Sequence, residues 1–485
     1  MAFNKAPSQS TYQTKDVKLI AEVNNRDKTG TKDVIALNGF YDIIKNKTTQ
    51  DGDYHFVKRD GTVTYSYTLP SSNFRGGYFW EDLDKLFLAY DDKIAVLTAS
   101  TGTLITTLSP AGWSNTTTDV GFTEFNYNTG IVHLVVSDGV KLITIDSSNT
   151  VVVGADADMP TPHSPHIVFI DGYIFMIKSG TSDIYNSDVD APLSYTAGSF
   201  ISVEMIPDSL IRISRLNNYL VAFGSASIEY FYDAANASGS PLNRNDTPVK
   251  QIGYLGGLST YANKIYFVGQ TSKTSPEVYV LEDFKIDTLD VPPLRRYIQP
   301  YTTYEGAIVS FGGHDFYILT VGTITYIHDL ETRIWTRMAS GAASTFPVKY
   351  SVNLPISTKG NCSLAYIQGT TTLVYFDPTV YQDSGVNFTV TMVTDEDTFD
   401  TMHEKYMSRL VVYGDRIATT SQLSIQTTDD DYATYTTTRQ VDLSLELPAL
   451  TRLGRFRRRA FKLTYSDNYP MRLHHLEVDY NIGTR

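Results

Sequence analysis

The sequence predicts an all-β protein: a six- or seven-bladed β-propeller followed by a C-terminal β-sandwich-like module. Three observations carry this. Composition is that of strands, with 34 Tyr and 23 Phe in 485 residues, abundant Thr and Ser, and no long Ala/Leu/Glu/Lys stretch. Branched and aromatic side chains fit a pleated surface. One strand–turn–strand unit recurs seven times, its starts 42 to 52 residues apart. Beyond about residue 385 that unit gives way to apolar/polar alternation with long polar turns, the pattern of antiparallel sheet with one wet face.

The seven units are KLFLAYDDKIAVLT (85–98), IVHLVVSDGVKLITID (131–146), YIFMIKSGTSDIY (173–185), YLVAFGSASIEYFYD (219–233), KIYFVGQTSKTSPEVYVLED (264–283), FYILTVGTITYIHD (316–329) and SLAYIQGTTTLVYFD (363–377). In each, an apolar strand enters, a turn of Gly, Asp or Ser follows, and a second apolar strand exits. Gly and Asp tolerate the positive φ of tight hairpins. A period of 40–50 residues with several strands per period marks a propeller. Outer strands follow in LTASTGTLITTLS (97–109) and IHDLETRIWTRM (327–338). One hairpin can serve ring closure, so six and seven blades both fit.

These elements divide the chain into residues 1–80, an N-terminal arm with the start of the propeller; 81–385, the propeller; and 386–485, the β-rich module. The arm holds one strand-like piece, DVIALNGFYDII (33–44). It has no apolar signal-peptide core, and no apolar run in the chain approaches the roughly 20 residues that span a bilayer. With one cysteine, Cys362, no internal disulfide forms and a Cys-based zinc site is excluded. The expectation is a soluble protein made in a reducing cytoplasm. An apolar fraction of 42% supports a substantial core, and a net charge of −13 argues against phosphate binding over the whole surface.

Several motifs suggest chemistry and fall short of it. Glu229 lies inside an apolar strand, on the face opposite Ile228 and Tyr230. Acid/base work needs a second carboxylate or a histidine. None is spaced for it, so Glu229 reads as a structural carboxylate paired at the rim of its blade. MHEKYM (402–407) lacks the second histidine of a zinc-binding HExxH. HSPH (163–166) and HH (474–475) lack converging ligands, and GADADMP (154–160) and TTDDDYATY (427–435) lack a calcium loop's glycine and terminal acid. Sialidase-type Ser-x-Asp-x-Gly-x-Thr-Trp turns are missing from the blades. No catalytic residue, metal ligand or cofactor is therefore assigned. A carbohydrate-binding or carbohydrate-active propeller is the alternative reading, weakened by three Trp in the whole chain.

The strongest charge anomaly is RLGRFRRRAFKL (452–463). Arg452, Arg455, Arg457, Arg458 and Arg459, with Lys462, Arg472 and Arg485 against Asp467, Glu477 and Asp479, give residues 450–485 a local charge of +5. Such a cluster suits phosphate or an acidic neighbour, and the favoured role is an assembly or partner interface.

NYLVAFGSASIEYFYDAANASGSPLNR (218–244), with Phe223, Gly224, Ser225, Ile228, Glu229, Tyr230 and Phe231, resembles the central motif of the packaged-DNA-stabilisation, or tail hub (nozzle), proteins of short-tailed bacteriophages. GRFRRRAFKL (454–463) resembles that family's C-terminal motif, and AEVNNRDKTGTKDVIALNGFYDI (21–43) loosely its N-terminal segment. Between these stretches the chain matches in blade grammar. The resemblance implies a virion protein, assembled in the host cytoplasm, forming a hexameric ring below the portal and its adaptor. It implies retention of packaged DNA, its passage during ejection with nonspecific contact in the lumen, and docking of tail fibres or tailspikes and a plug or needle. An acidic conduit agrees with this, because a wall attracting phosphates would accumulate binding energy at every contact and slow the genome.

Overall fold

The computed structural model describes residues 12–21, 34–44, 53–113, 117–206, 208–341, 343–357 and 359–483. Each of the seven predicted hairpins forms the two middle strands of a four-stranded antiparallel meander. Blade 1 comprises Phe74–Trp80, Lys85–Tyr90, Lys93–Thr98 and Thr103–Leu108; blade 2, Gly121–Asn126, Val132–Ser137, Leu142–Ile145 and Val151–Val153. Blade 3 comprises Val168–Ile170, Tyr173–Ile177, Asp183–Asn186 and Phe200–Ser202; blade 4, Leu210–Leu216, Tyr219–Gly224, Ile228–Asp233 and Leu242–Lys250. Blade 5 comprises Gly253–Tyr261, Lys264–Gln270, Glu277–Glu282 and Lys285–Thr288; blade 6, Glu305–Phe311, His314–Val321, Ile324–Asp329 and Trp335–Met338. Blade 7 takes Val348–Ile356, Gly360–Ile367 and Thr372–Asp377 from the end of the repeat region and its outer strand, Gly61–Thr68, from before blade 1. That strand runs antiparallel to Thr372–Asp377 and closes the ring.

Six of these meanders are separate sheets, and blade 6 forms the first four strands of a nine-stranded one. The middle strands are apolar on both faces because each blade is covered by a neighbour on either side. Blade 4 illustrates this: Phe223, Ile228 and Tyr230 pack with Phe267 and Tyr279 of blade 5, while Phe231 packs with Phe175 and Ile184 of blade 3.

The innermost strands are less apolar and carry glycines where neighbouring blades converge. A Cβ on Gly121 would lie 1.9 Å from the carbonyl oxygen of Pro165, and one on Gly306 would lie 2.2 Å from that of Gly257. Both obstacles are backbone, so neither can move aside like a side chain.

The C-terminal module is a two-sheet sandwich. One sheet is blade 6 extended through Ile35–Leu37, Val390–Val393, Ala460–Tyr465, Gln422–Thr428 and Arg439–Asp442. The other contains Gly39–Ile44, Asp53–Lys58, Arg472–Ile482, Lys405–Gly414 and Ala449–Thr451, with Tyr12–Lys18 alongside Arg472–Ile482. Their inner faces share one core that includes Phe56, Leu410, Phe461 and Leu476.

The single strand expected over 33–44 is two. Asn38 adopts φ 58°, a left-handed conformation that asparagine tolerates. It sends Ile35–Leu37 into one sheet and Gly39–Ile44 into the other. Residues 22–33 of the N-terminal family-like segment lie outside the described residues. Among the described residues, no helix is long and apolar enough to cross a membrane.

Candidate functional site

The blade 4 hairpin is knit by two carboxylates. Asp208, in the link from blade 3, accepts from the backbone N–H of Ala226 (2.6 Å) and the hydroxyl of Ser227 (3.1 Å). Gly224 closes the turn by donating its N–H to the Ser227 carbonyl (2.8 Å), and a Cβ there would strike the Asp208 carboxylate. Ser225 donates its N–H to the Ser209 carbonyl. Glu229 is buried between blades 3 and 4. One carboxylate oxygen lies 2.8 Å from Arg244 Nε on the outer strand of the same blade, and the other accepts the Met205 N–H at 3.1 Å. Burial pushes the Glu229 carboxyl up, against the opposing pull of Arg244. The motif thus ties blade 3, its link and blade 4 together.

The propeller axis holds a cavity of about 980 Å³ lined by the first strand of all seven blades. Charges along it are held by neighbours. Lys349 pairs with Asp119 at 3.0 Å, and Tyr78 donates to Glu124 at 2.8 Å. Arg75 donates to the carbonyls of Thr118 and Asp91, each at 2.7 Å. Spread along a seven-residue strand of roughly 23 Å, the cavity corresponds to a bore of roughly 10 Å. A DNA duplex, whose major groove alone is roughly 12 Å wide, does not pass.

The five arginines of the basic segment separate. Arg459 is buried and makes two 2.7 Å contacts with the carboxylate of Asp429, so it is withdrawn from any docking surface. Its ring neighbour is Phe456, 4.4 Å from the guanidinium carbon. Arg455 faces Glu404 at 3.4 Å and Arg458 faces Glu396 at 3.2 Å. Arg457 donates to the Met402 carbonyl, and Arg452 is exposed on a left-handed residue, φ 59°. Arg485, counted in the sequence charge, lies outside the described residues.

The histidine motifs serve packing. Pro160 offers only a carbonyl to His163 Nδ1 (2.9 Å), so that nitrogen carries the proton and Nε2 accepts from Ser137 Oγ (2.9 Å). His474 stacks on His55 and His475 on Tyr413. Lys405 to Met407 of the MHEKYM stretch begin a strand rather than a helix. Among the described residues, no group of three or more His, Cys, Asp or Glu is placed to hold a metal ion.

The propeller ring is closed by its own N-terminal strand, and the 218–244 motif binds adjacent blades. The model of the bacteriophage P22 Gp10 β-propeller family matches residues 89–354, more than half of the chain. The chain belongs to this family. The family is one of structural phage tail proteins, and the match begins inside blade 1, covers blades 2 to 6 and enters blade 7. A curated relative, tail hub protein gp10 of Salmonella phage P22, is 24% identical over 167 residues; the alignment covers 32% of this chain and 35% of that protein. The chain thus matches about a third of that relative's length. Solved structures similar to it include the N-terminal domain of Nup159, at 11% identity over 68% of this chain and 97% of that one, TM-score 0.40. Another is virginiamycin B lyase from Staphylococcus aureus, at 10% identity over 65% and 99%, TM-score 0.41. At that level of likeness nothing of their chemistry transfers.

The sequence missed Arg59, which joins propeller to sandwich. Its one local signal is the charged run Lys58-Arg59-Asp60 between two strands. The partners that tie it to the rest of the fold, Asp383 and Ala339, lie hundreds of residues away.

Proposed function

We propose that this chain is the subunit of a phage tail hub, six copies of which form a nozzle below the portal and adaptor. It retains packaged DNA, lets it pass during ejection, and carries fibres or spikes at its far end. Membership of the P22 Gp10 β-propeller family across the blades is the observation that carries this reading. The narrow bore supports it in a specific way: a conduit for duplex DNA has to lie between copies, and the propeller is its wall. A net charge of −13 suits a wall that phosphates slide past. Within the basic segment, Arg452, Arg455 and Arg457 stay exposed to an acidic neighbour, Arg458 is half-buried against Glu396, and Arg459 supports the module from inside.

The test is retention. DNA-filled heads lacking this chain are incubated with the purified protein and the nuclease-resistant DNA is measured. Restored protection is expected; leakage equal to that of untreated heads overturns the reading.

A further inference from the structure

An axial cavity too narrow for a DNA duplex still has room for a small molecule. The innermost strands all begin at the same mouth of it, because every blade is the same meander taken in the same order. Polar side chains gather at that mouth, and most of them are already satisfied. Lys349, second in its strand, pairs with Asp119 at 3.0 Å, so the two charges cancel. Arg75, second in its own, is buried with its donors on backbone carbonyls. Burial, helped by the Arg212 charge, pushes the His166 imidazole well down, so it stays uncharged at neutral pH.

Two charges at this mouth have no ionic partner among the described residues. Arg212 is the third residue of Leu210–Leu216 in blade 4. Its one side-chain hydrogen bond is a long one, 3.4 Å to the hydroxyl of Tyr254, and its Nε is buried without an acceptor. Glu305 is the first residue of the innermost strand of blade 6 and makes no side-chain hydrogen bond or ion pair among those residues. Burial pushes the Glu305 carboxyl up, with Lys349 and Arg212 pulling against it, so Arg212 and Glu305 sense one another without touching. Blade 5 stands between them and contributes Tyr254 to the lining. Unpaired charges in a cleft are what a ligand of complementary charge uses.

We infer that this mouth binds a small dipolar ligand, one carrying both a carboxylate and an ammonium group. The carboxylate sits on the Arg212 guanidinium, whose planar fork suits two oxygens at once. The Tyr254 oxygen accepts from Arg212, which leaves its own O–H to donate to the same carboxylate. The ammonium sits on Glu305. A simple anion answers only Arg212 and a simple cation only Glu305; a ligand with both groups answers the pair. The inference goes beyond the hub reading, since it concerns the bore of each propeller rather than the conduit between copies.

NMR titration of the full chain with glycine, β-alanine, γ-aminobutyrate and ε-aminocaproate tests it, because the series varies only the distance between the two ligand charges. One chain length is expected to bind about tenfold more tightly than butyrate, which lacks the ammonium, and butylamine, which lacks the carboxylate. Arg212→Gln and Glu305→Gln, each checked for folding by circular dichroism, are each expected to weaken that binding about tenfold. Arg215→Gln is expected to keep it: Arg215 lies three residues along the same strand and already donates to the carbonyls of Asn217 and Phe169. Failure of every member of the series to bind wild type overturns the inference. Butyrate or inorganic phosphate binding as tightly as the best amino acid also overturns it, making the mouth a site for any anion. Binding that survives both substitutions overturns it by placing the ligand elsewhere.

Discussion

Arg59 and Asp383 form a buried bidentate ion pair, 324 residues apart in sequence, with guanidinium–carboxylate distances of 2.9 and 2.6 Å. Arg59 also donates to Asn38 Oδ1 and to the carbonyls of Asp60 and Ala339, and stacks 3.7 Å from the centre of Phe388. Asp383 in turn accepts from Thr62 and from the Gly341 backbone. One side chain thus fastens the closing strand, the end of blade 6 and the start of the sandwich.

Removing it leaves a buried carboxylate without its partner. Arg59→Ala lowers the free energy of unfolding in denaturant by about 3–5 kcal/mol. Arg59→Lys recovers little, because an ammonium cannot reproduce the planar five-donor fork. A loss within the roughly 1 kcal/mol of an exposed ion pair contradicts this account.

The glycines at the axis give a second prediction. Gly121→Ala and Gly306→Ala each push a methyl into a neighbouring blade's backbone. Each costs about 1–3 kcal/mol or more, the range for forced overpacking. Gly130→Ala is the control for steric contact, having nothing within 4 Å; its φ of 80° adds backbone strain alone. If the axial variants melt with the wild type, the blades do not converge as described.

Lys58 gives a pH dependence. Its ammonium donates to the Asp467 carbonyl at 2.7 Å and sits 4.6 Å from the centre of Phe388. Burial, helped by the neighbouring Arg59, pushes it down to about 7. Unfolded, a lysine keeps its proton to roughly pH 10.4. Between those values the unfolded chain binds more protons, so this group makes stability rise with pH. Denaturant melts of wild type and Lys58→Met from pH 7 to 10 check it: the variant lacks that rising component. Identical slopes rule it out.

The arginines of 452–459 separate by burial. Arg459→Ala removes two charge-assisted hydrogen bonds to Asp429 and the contact with Phe456, at a cost of about 1.5–3 kcal/mol. Arg457→Ala changes stability by less than about 0.5 kcal/mol, as surface substitutions do. Thermal melts of the two proteins measure this directly, and equal shifts contradict the assignment.

What could be read from the sequence follows from where each strand is covered. The seven hairpins were legible because their strands are buried on both faces, as at Leu86–Ala89 or Ile318–Val321. The axial strands were not, because FRGGYFW and GYLGGLSTY mix glycine and polar residues that face the channel. The sandwich was legible as a module, but not that Gly39–Ile44 and Asp53–Lys58 complete it, since no local pattern encodes pairing across 400 residues. Arg459 read as surface because a run of arginines usually is; only the fold brings Asp429 to it. The Arg244 partner of Glu229, 15 residues on, was not legible, because it follows from the register between the third and fourth strands of its blade.

The central claim is that copies of this chain form a hub whose DNA conduit lies between subunits. Negative-stain imaging of the purified protein, alone and with its portal and adaptor, tests this most directly. The account predicts six-fold rings with a central hole wide enough for a DNA duplex, each subunit showing its own narrow propeller bore. Dispersed single propellers under both conditions would contradict it.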